Sequence, residues 1–453
     1  MNELKQKINE LLSAKDPKGA IREIKKRHAS EVAEILREMQ PRDRNLLFAL
    51  LPAKLAAKAF AYLHLKEQKY FLNTLKNAQV RILLSNLSPD DRTHLFESLP
   101  AKQAEKLLDL LSIPDLRETK FLLNYPKESV GRVMTPDYIS INYDWSVQKA
   151  INYIRKNSAS AETADTIYIT DDGEHLLFKI KISKLILAQP NSQIKDILDE
   201  TNAILGKLSP FDDREKAVHL IKKYNLTALP VVDSANEMLG IVTVDDLMDV
   251  QEEEATEDFH KIGAISHDPD DGITDDLANA PIRFVYKRRV WWLLVLVGVN
   301  FFSGAAMMRF EDIIASTVVL VAFLPLLIGS AGNAGAQAST IVIRALGTGH
   351  IKKNTWLKTF FKEMAISWML GISMALAVSL VGYYVGGTKI ALTVALAMMS
   401  VVMIGSLLGV TLPFVFAKLK KDPATASGPL VTSIVDILGV IIYFSIATFI
   451  LSL

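Results

Sequence analysis

Asp436 is the residue whose setting most demands a chemical explanation. Only five of the chain's 50 acids follow Val290: Glu311, Asp312, Glu363, Asp422 and Asp436. Asp436 stands nine residues into a long apolar run, about 14 Å along a helix. A lone acid at that depth costs roughly 2.5–3.5 kcal/mol on insertion scales and normally faces a bundle interior or a water cavity. Two readings stay open: an acid on an ion path, or a structural hydrogen bond to a neighbouring Ser or Thr.

A second concentration of carboxylates lies earlier. Residues 245–258 hold eight acids: Asp245, Asp246, Asp249, Glu252, Glu253, Glu254, Glu257 and Asp258. Asp246, Asp249, Glu253 and Glu257 are spaced three, four and four apart, which puts them on one helical face. Like charges so spaced destabilise a helix by a few tenths of a kcal/mol per pair, and a divalent cation would relieve that. A solvated acidic face is the alternative. The helix links a soluble part to the first apolar span, so binding there could be transmitted mechanically. A further acidic run, Asp268, Asp270, Asp271, Asp275 and Asp276, contains Pro269 and Gly272 and reads as a loop.

These residues need a membrane to act across. Five apolar stretches, at residues 290–308, 313–330, 364–385, 391–417 and 427–453, are long enough for a layer of ~30 Å, which takes about 20 helical residues. Helices are expected because lipid leaves open backbone groups unsatisfied. Lys287, Arg288 and Arg289 precede the first span. Arg344, Lys352, Lys353, Lys358 and Lys362 separate the second and third, and Lys418, Lys420 and Lys421 the fourth and fifth. The other loops hold Arg309 and Lys389. The basic loops therefore share the cytosolic side with the N-terminal part, and five spans leave the C-terminus outside. Residues 1–12 are charged and amphipathic without an apolar core segment, so no signal peptide is expected.

Two segments interrupt the apolar pattern. Residues 329–337, Gly-Ser-Ala-Gly-Asn-Ala-Gly-Ala-Gln, combine small residues with two amides, one turn after Pro325. They suit close helix packing, or a broken helix whose freed carbonyls face a pore. Ser427-Gly428-Pro429 marks a similar break before the last span. Mg²⁺ prefers oxygen ligands and sheds water reluctantly, which fits a carboxylate and carbonyl path. One Asp per chain is little for selectivity, so a homodimer that pairs two is expected. No span carries Arg or Lys near its middle, which argues against an anion pore.

The soluble part has two organisations. Residues 1–125 are helical in pattern and repeat at an offset of 48: Pro41-Arg42-Asp43-Arg44 before Leu51-Pro52-Ala53-Lys54, then Pro89-Asp90-Asp91-Arg92 before Leu99-Pro100-Ala101-Lys102. An α-superhelix follows. Its acids Asp90, Asp91 and Glu97 are candidates to oppose those of the linker helix. Residues 126–250 hold two α/β halves. One runs from Val130-Gly131-Arg132-Val133-Met134-Thr135-Pro136 to a helix at residues 150–154. The other includes Leu229-Pro230-Val231-Val232-Asp233 and Gly240-Ile241-Val242-Thr243-Val244-Asp245-Asp246. They resemble a CBS-domain pair. In that family a Thr-x-x-Asp after the last strand often holds a ribose, which implies Thr243 and Asp246 as nucleotide contacts for ATP or another adenine nucleotide. The first repeat has Ser183 and Lys184 there and lacks the Asp.

The whole order resembles the MgtE magnesium-channel family: all-α superhelix at 1–125, tandem CBS domains at 126–250, acidic plug helix and linker at 246–280, and a five-helix transmembrane domain at 281–453. The match is specific at Thr243 to Asp258, at Gly332-Asn333-Ala334-Gly335 with Gln337, and from Asp422-Pro423-Ala424 through Ser427-Gly428-Pro429 to Asp436-Ile437-Leu438-Gly439. The resemblance implies Asp436 as the Mg²⁺-binding pore acid. Gly332, Asn333, Ala424 and Ser427 would line the path. Asp246, Asp249, Glu254, Glu257 and Asp258, with Asp90 and Asp91 of the N-terminal region, would be Mg²⁺ sensors, and residues 246 to about 264 would close the pore. Two departures stand out: Ala336, where the family commonly has a second Asn, and Asn225, where some relatives have Asp.

The expected function is a Mg²⁺-selective uptake channel of the plasma (inner) membrane, closed by cytosolic Mg²⁺. An ion-coupled carrier using Asp436 as a proton relay and a membrane-anchored nucleotide sensor without transport are the alternatives. The chain has no cysteine, scattered histidines (His219 and His260 read as surface or packing residues), no P-loop and no nucleophile elbow, so no enzyme is expected. A net charge of +1 gives no sign of nucleic acid as a partner.

Overall fold

The computed structural model describes residues 2–14, 16–158, 161–265, 280–351 and 353–451. The acidic loop read at residues 268–276 lies outside them. The chain divides into two compact units, with the change from one to the other at Glu252/Glu253.

The first unit begins with short helices: α1 (Asn2–Ser13), α2 (Pro17–Ile24), α3 (Ala29–Glu38), α4 (Pro41–Leu50), α5 (Ala53–Ala61), α6 (Leu65–Thr74), α7 (Asn77–Asn86), α8 (Pro89–Glu97), α9 (Ala101–Leu108) and α10 (Ile113–Leu123). Pro stands at the first turn of α2, α4, α8 and α10, where its missing donor costs nothing. One apolar core runs from Ile8 to Leu107, through Phe48, Phe60 and Phe71, as expected of stacked helical repeats. The 48-residue repeat is structural as well. Arg44 donates to the Arg37 and Met39 carbonyls at 2.9 and 3.1 Å. Its counterpart Arg92 is 2% exposed and donates to Thr119 Oγ1 at 2.9 Å, to the Leu84 carbonyl and to Glu118. Arg92 thereby fixes α8 against α10.

The CBS part follows as α11 (Val130–Val133), β1 (Ser140–Asn142), α12 (Val147–Asn157), β2 (Thr166–Thr170), β3 (Leu176–Lys181), α13 (Ile182–Leu187), α14 (Arg214–Tyr224), β4 (Ala228–Val232), β5 (Met238–Thr243) and α15 (Val244–Ile262). β2 pairs parallel to β1 and antiparallel to β3, and β4 pairs antiparallel to β5. The halves interlock. Thr135 of the first bridges Ile241 in β5, and His175 bridges Glu237. Asn225 ends α14 in the left-handed region at φ 50° and ψ 52°, a conformation that Asn tolerates better than most residues. Its place in the fold is thus a helix stop.

The second unit contains the end of α15 and the apolar helices α16 (Ile282–Met308), α17 (Glu311–Ser316), α18 (Val319–Gly347), α19 (Trp356–Lys418) and α20 (Gly428–Leu451). Among the described residues α16, α18, α19 and α20 are long and apolar enough to cross a membrane. α19 is interrupted at Gly387, whose φ of 73° and ψ of −168° lie outside helical space. Its two arms lie against each other, since a Cβ on Gly371 would come 3.2 Å from Met399 Cα.

The second apolar stretch corrects the sequence reading, which places a span at 313–330 and allows a break near 329–337. α17 instead occupies the start, and α18 runs unbroken from Val319 through Gly347. The small residues serve packing. A Cβ on Gly405 would lie 2.4 Å from the Ala331 carbonyl oxygen, and one on Gly409 2.1 Å from that of Gly335. The backbones of α18 and of the second arm of α19 therefore touch, as small-residue seams allow. The expected break before the last span is present: residues 423–425 form a single 3₁₀ turn before α20.

Candidate functional site

In the first unit, two elements bring carboxylates together. Asp90 and Asp91 open α8, where a helix N-terminus favours negative charge. Asp245 and Asp246 open α15. Burial raises Asp90 well above the usual carboxylate range, with the charges of Asp246, Asp91 and Glu162 adding to it. Asp246 is pushed up to about 7, chiefly by burial, with Asp245, Asp91 and Glu162 contributing and a hydrogen bond from Thr243 opposing. Loss of solvent also raises Asp91, Glu162 and Asp137. Among the described residues, Asp90 Oδ1 is shielded from solvent and meets no hydrogen-bond partner. Such an orphan is costly unless a cation or water completes it.

The other predicted acids sit differently. Asp249 is exposed on α15, and its charge, after burial and the charges of Asp91 and Asp245, raises the Tyr62 hydroxyl. Glu97 does not join the cluster, because it pairs with Arg132 at 3.5 Å and Lys127 at 3.9 Å. Glu254 is half-buried on α15. Among the described residues no three His, Asp or Glu side chains converge closely enough to form a ready-made metal cage. Mg²⁺ usually retains several waters and needs few direct protein oxygens, so the looser cluster fits a hydrated ion.

Sequence reasoning missed Glu162, which lies in a loop without periodicity. For Asp90 a signal existed: the repeat places Arg42 at the equivalent position, so the second copy has inverted its charge.

At the tail of α15 the acids have a partner. Lys261 Nζ donates to Asp422 Oδ2 at 2.5 Å and is ion-paired with Glu257. Burial works against the Lys261 charge, but Asp422 and Glu257 outweigh it and raise the ammonium. Asp258 is pushed up to about 6 by burial and then by Asp422, with Lys261 opposing.

Along the apolar helices, Asp436 is half-buried on α20. Among the described residues its carboxylate receives no hydrogen bond, while its backbone carbonyl accepts one from Ser303 Oγ at 3.4 Å. The alternative reading of Asp436, a structural hydrogen bond to its side chain from a Ser or Thr, thus finds no partner there. Gly332 is buried against Thr432, whereas Asn333 and Gln337 are exposed on one face of α18. Ala424 and Ser427 are buried in the turn before α20. That turn is held by Ser339 Oγ donating to the Ala426 carbonyl at 2.7 Å. Ala336 meets Gly428, a Cβ on which would lie 3.5 Å from the Ala336 Cβ.

Thr243 is buried and donates to Asp246 Oδ2 at 2.5 Å. A cleft of about 460 Å³ between the CBS halves is lined by other residues: Leu176, Leu177, Ile204, Gly206, Lys207 and Asn236 among them. Lys184 is engaged with Asp199 at 2.6 Å and Asn202 at 2.7 Å.

Three family models match the chain: an intracellular MgtE N domain over residues 27–128, a CBS domain over 194–253 and an MgtE divalent cation transporter domain over 324–446. With the apolar helices, these define a divalent-cation transporter that carries an intracellular N-terminal domain and CBS domains. The magnesium transporter MgtE of Bacillus subtilis (strain 168) is 31% identical over 427 residues, 91% of this chain and 92% of that protein. The magnesium transporter MgtE of Thermus thermophilus is 32% identical over 345 residues, 76% and 75% of the two chains. This chain belongs to the MgtE family of magnesium transporters. A crystal structure of the cytosolic domain of the Mg²⁺ channel MgtE in complex with ATP superposes with a TM-score of 0.51 at 28% identity, covering 54% of this chain and 99% of that one.

Proposed function

We propose that the chain is a homodimeric Mg²⁺ channel of the plasma membrane that closes when cytosolic Mg²⁺ is plentiful. The observation that carries the gating is the carboxylate cluster of Asp90, Asp91, Glu162 and Asp246, with its orphaned Asp90 oxygen. Bound Mg²⁺ adds to the positive charge that Lys58 and His94 bring to this cluster, which burial outweighs. Without it, ionisation of these raised acids would set the head of α15 against α8. Once the charge is neutralised, the head stays seated. α15 is one continuous helix from Val244 to Ile262 and carries both Asp246 and Lys261.

Asp436 is the pore acid in this reading, and Gly332, Asn333, Ala424 and Ser427 belong to the path. The exposed amides Asn333 and Gln337 within an apolar span support a second copy across that face, since lipid is a poor partner for them. The N-terminal domain is cytosolic and the C-terminus outside, as the basic loops imply. An adenine nucleotide would take the CBS cleft, with Lys207 the cation in its lining. The ATP complex of the similar cytosolic domain supports this.

The test is Mg²⁺ flux into liposomes carrying the purified protein. Asp436→Ala should lower flux by on the order of a hundredfold, the effect of losing a principal charge site worth a few kcal/mol. Flux that ignores the substitution removes Asp436 from the path. Flux that saturates at carrier rates and follows a proton gradient replaces the channel by a coupled carrier.

A further inference from the structure

The tail of α15 does something the head does not. Lys261 ties it to residue 422, separated by 161 positions in sequence. Asp422 uses its two oxygens for different tasks: Oδ2 accepts from Lys261, while Oδ1 accepts from the Ala424 backbone N–H at 2.8 Å. That second bond caps the 3₁₀ turn of residues 423–425, which delivers the chain to Gly428 and so to Asp436 eight residues further on. Ile262, beside Lys261, packs on Ala424, Ala426 and Ile343 of α18. Asp258 faces the end of α18, where a Cβ on Gly347 would lie 3.6 Å from its Oδ2. Glu257 and Asp422 thus share one ammonium, and Asp258 feels its charge. Take the ammonium away, and the end of α15 and the turn before α20 present only like charge to each other.

We propose that Lys261 is a positioning residue of the conduction path: a tethered cation that couples the end of α15 to Asp422 and so holds the 423–427 turn in its closed placement. This deepens the gating reading above and rests on it. Neutralising the head by metal seats the helix, and Lys261 transmits the seating to the turn. The ammonium acts through Asp422 and does not touch the transported ion. Its three donors and flexible stem suit a bridge between two carboxylates from different elements.

The experiment is liposome Mg²⁺ flux at low and high internal Mg²⁺ with full-length Lys261→Met, Lys261→Arg, Asp422→Asn and the double variant Lys261→Met/Asp422→Asn. Lys261→Met should raise flux at high internal Mg²⁺ roughly five- to tenfold, the size of an ordinary coupling loss, while flux at low internal Mg²⁺ stays within about twofold. Lys261→Arg, which keeps the charge, should still close. Asp422→Asn should leak as Lys261→Met does, and the double variant no more than either, because both remove one interaction. Closure unchanged in Lys261→Met, leakage in Lys261→Arg equal to that in Lys261→Met, or additive leakage in the double variant would overturn the proposal. So would loss of low-Mg²⁺ flux in both single variants, which marks a merely structural pair. If the unaltered protein itself fails to close at high Mg²⁺, the gating reading fails, and that outcome is visible before any variant is compared.

Discussion

The two ends of α15 solve the same electrostatic problem in opposite ways. At the head, Asp245 and Asp246 share their surroundings with Asp90, Asp91 and Glu162, and burial drives Asp246, Asp90, Asp91 and Glu162 toward their neutral forms. At the tail, Glu257, Asp258 and Asp422 surround Lys261, which is raised and fixed as a cation. The tail carries one counter-ion of its own in the chain, paired with Glu257 and Asp422. At the head, Lys58 and His94 act on Asp91, and Lys58 on Glu162, but burial outweighs them, which leaves room for a cation from the cytosol. A contact that must borrow its cation can report on that cation, and a contact that owns its cation can only transmit.

The largest expected effect comes from removing the head's demand for a cation. Asp90→Asn with Asp246→Asn should leave flux at high internal Mg²⁺ within about twofold of flux at low Mg²⁺, abolishing a regulation of about tenfold or more. Regulation that persists in this double variant would break the contrast. Building a cation into the head should make it resemble the tail. Glu162→Lys is expected to shift closure to lower Mg²⁺ by roughly threefold to tenfold, as about 1 kcal/mol of exposed pairing allows, read from the same flux titration. A shift toward higher Mg²⁺ would show that Glu162 is a ligand rather than background charge.

The third expectation concerns pH and is smaller. Asp246 is raised to about 7 from an ordinary value near 4. A raised acid binds more protons folded than unfolded between those values, so its contribution to metal-free stability is present below about 4 and is lost as pH climbs through about 7. Protons and Mg²⁺ compete for the same oxygens. Stabilisation by Mg²⁺ in a thermal melt should therefore be larger at pH 8 than at pH 6, by up to about 1.4 kcal/mol for each unit of proton competition. Equal Mg²⁺ shifts at both pH values would contradict the assignment of Asp246. The smallest effect calibrates the rest. Asn225→Ala, at a left-handed helix stop outside both regions, should cost about 1 kcal/mol of stability and leave the Mg²⁺ response within about twofold.

Periodicity in the sequence placed Asp246, Asp249, Glu253 and Glu257 on one helical face, and the helix is there. It could not divide that face by function, because the division depends on partners far away in sequence: Asp90 for Asp246 and Asp422 for Lys261. Glu162 and Asp422 belong to irregular segments, where no spacing rule applies. The same limit shaped the reading of residues 329–337. Small residues are ambiguous between a backbone that opens and one that is approached, and only the facing Gly405 and Gly409 decide it.

That glycine contact has a mechanical consequence. Two helices whose backbones touch at Ala331–Gly405 and Gly335–Gly409 have no side-chain cushion between them to compress or slide over. They behave as a single plate, stiff in shear. α20 packs on this plate through side chains, Thr432 against Gly332 and Val431 against Gly335, and through the Tyr443 hydroxyl donating to the Leu320 carbonyl at 2.9 Å. Any rearrangement of the segment that carries Asp436 must therefore move the side chains of α20 over a rigid face, with the one-turn lead-in at residues 423–425 as its short irregular approach.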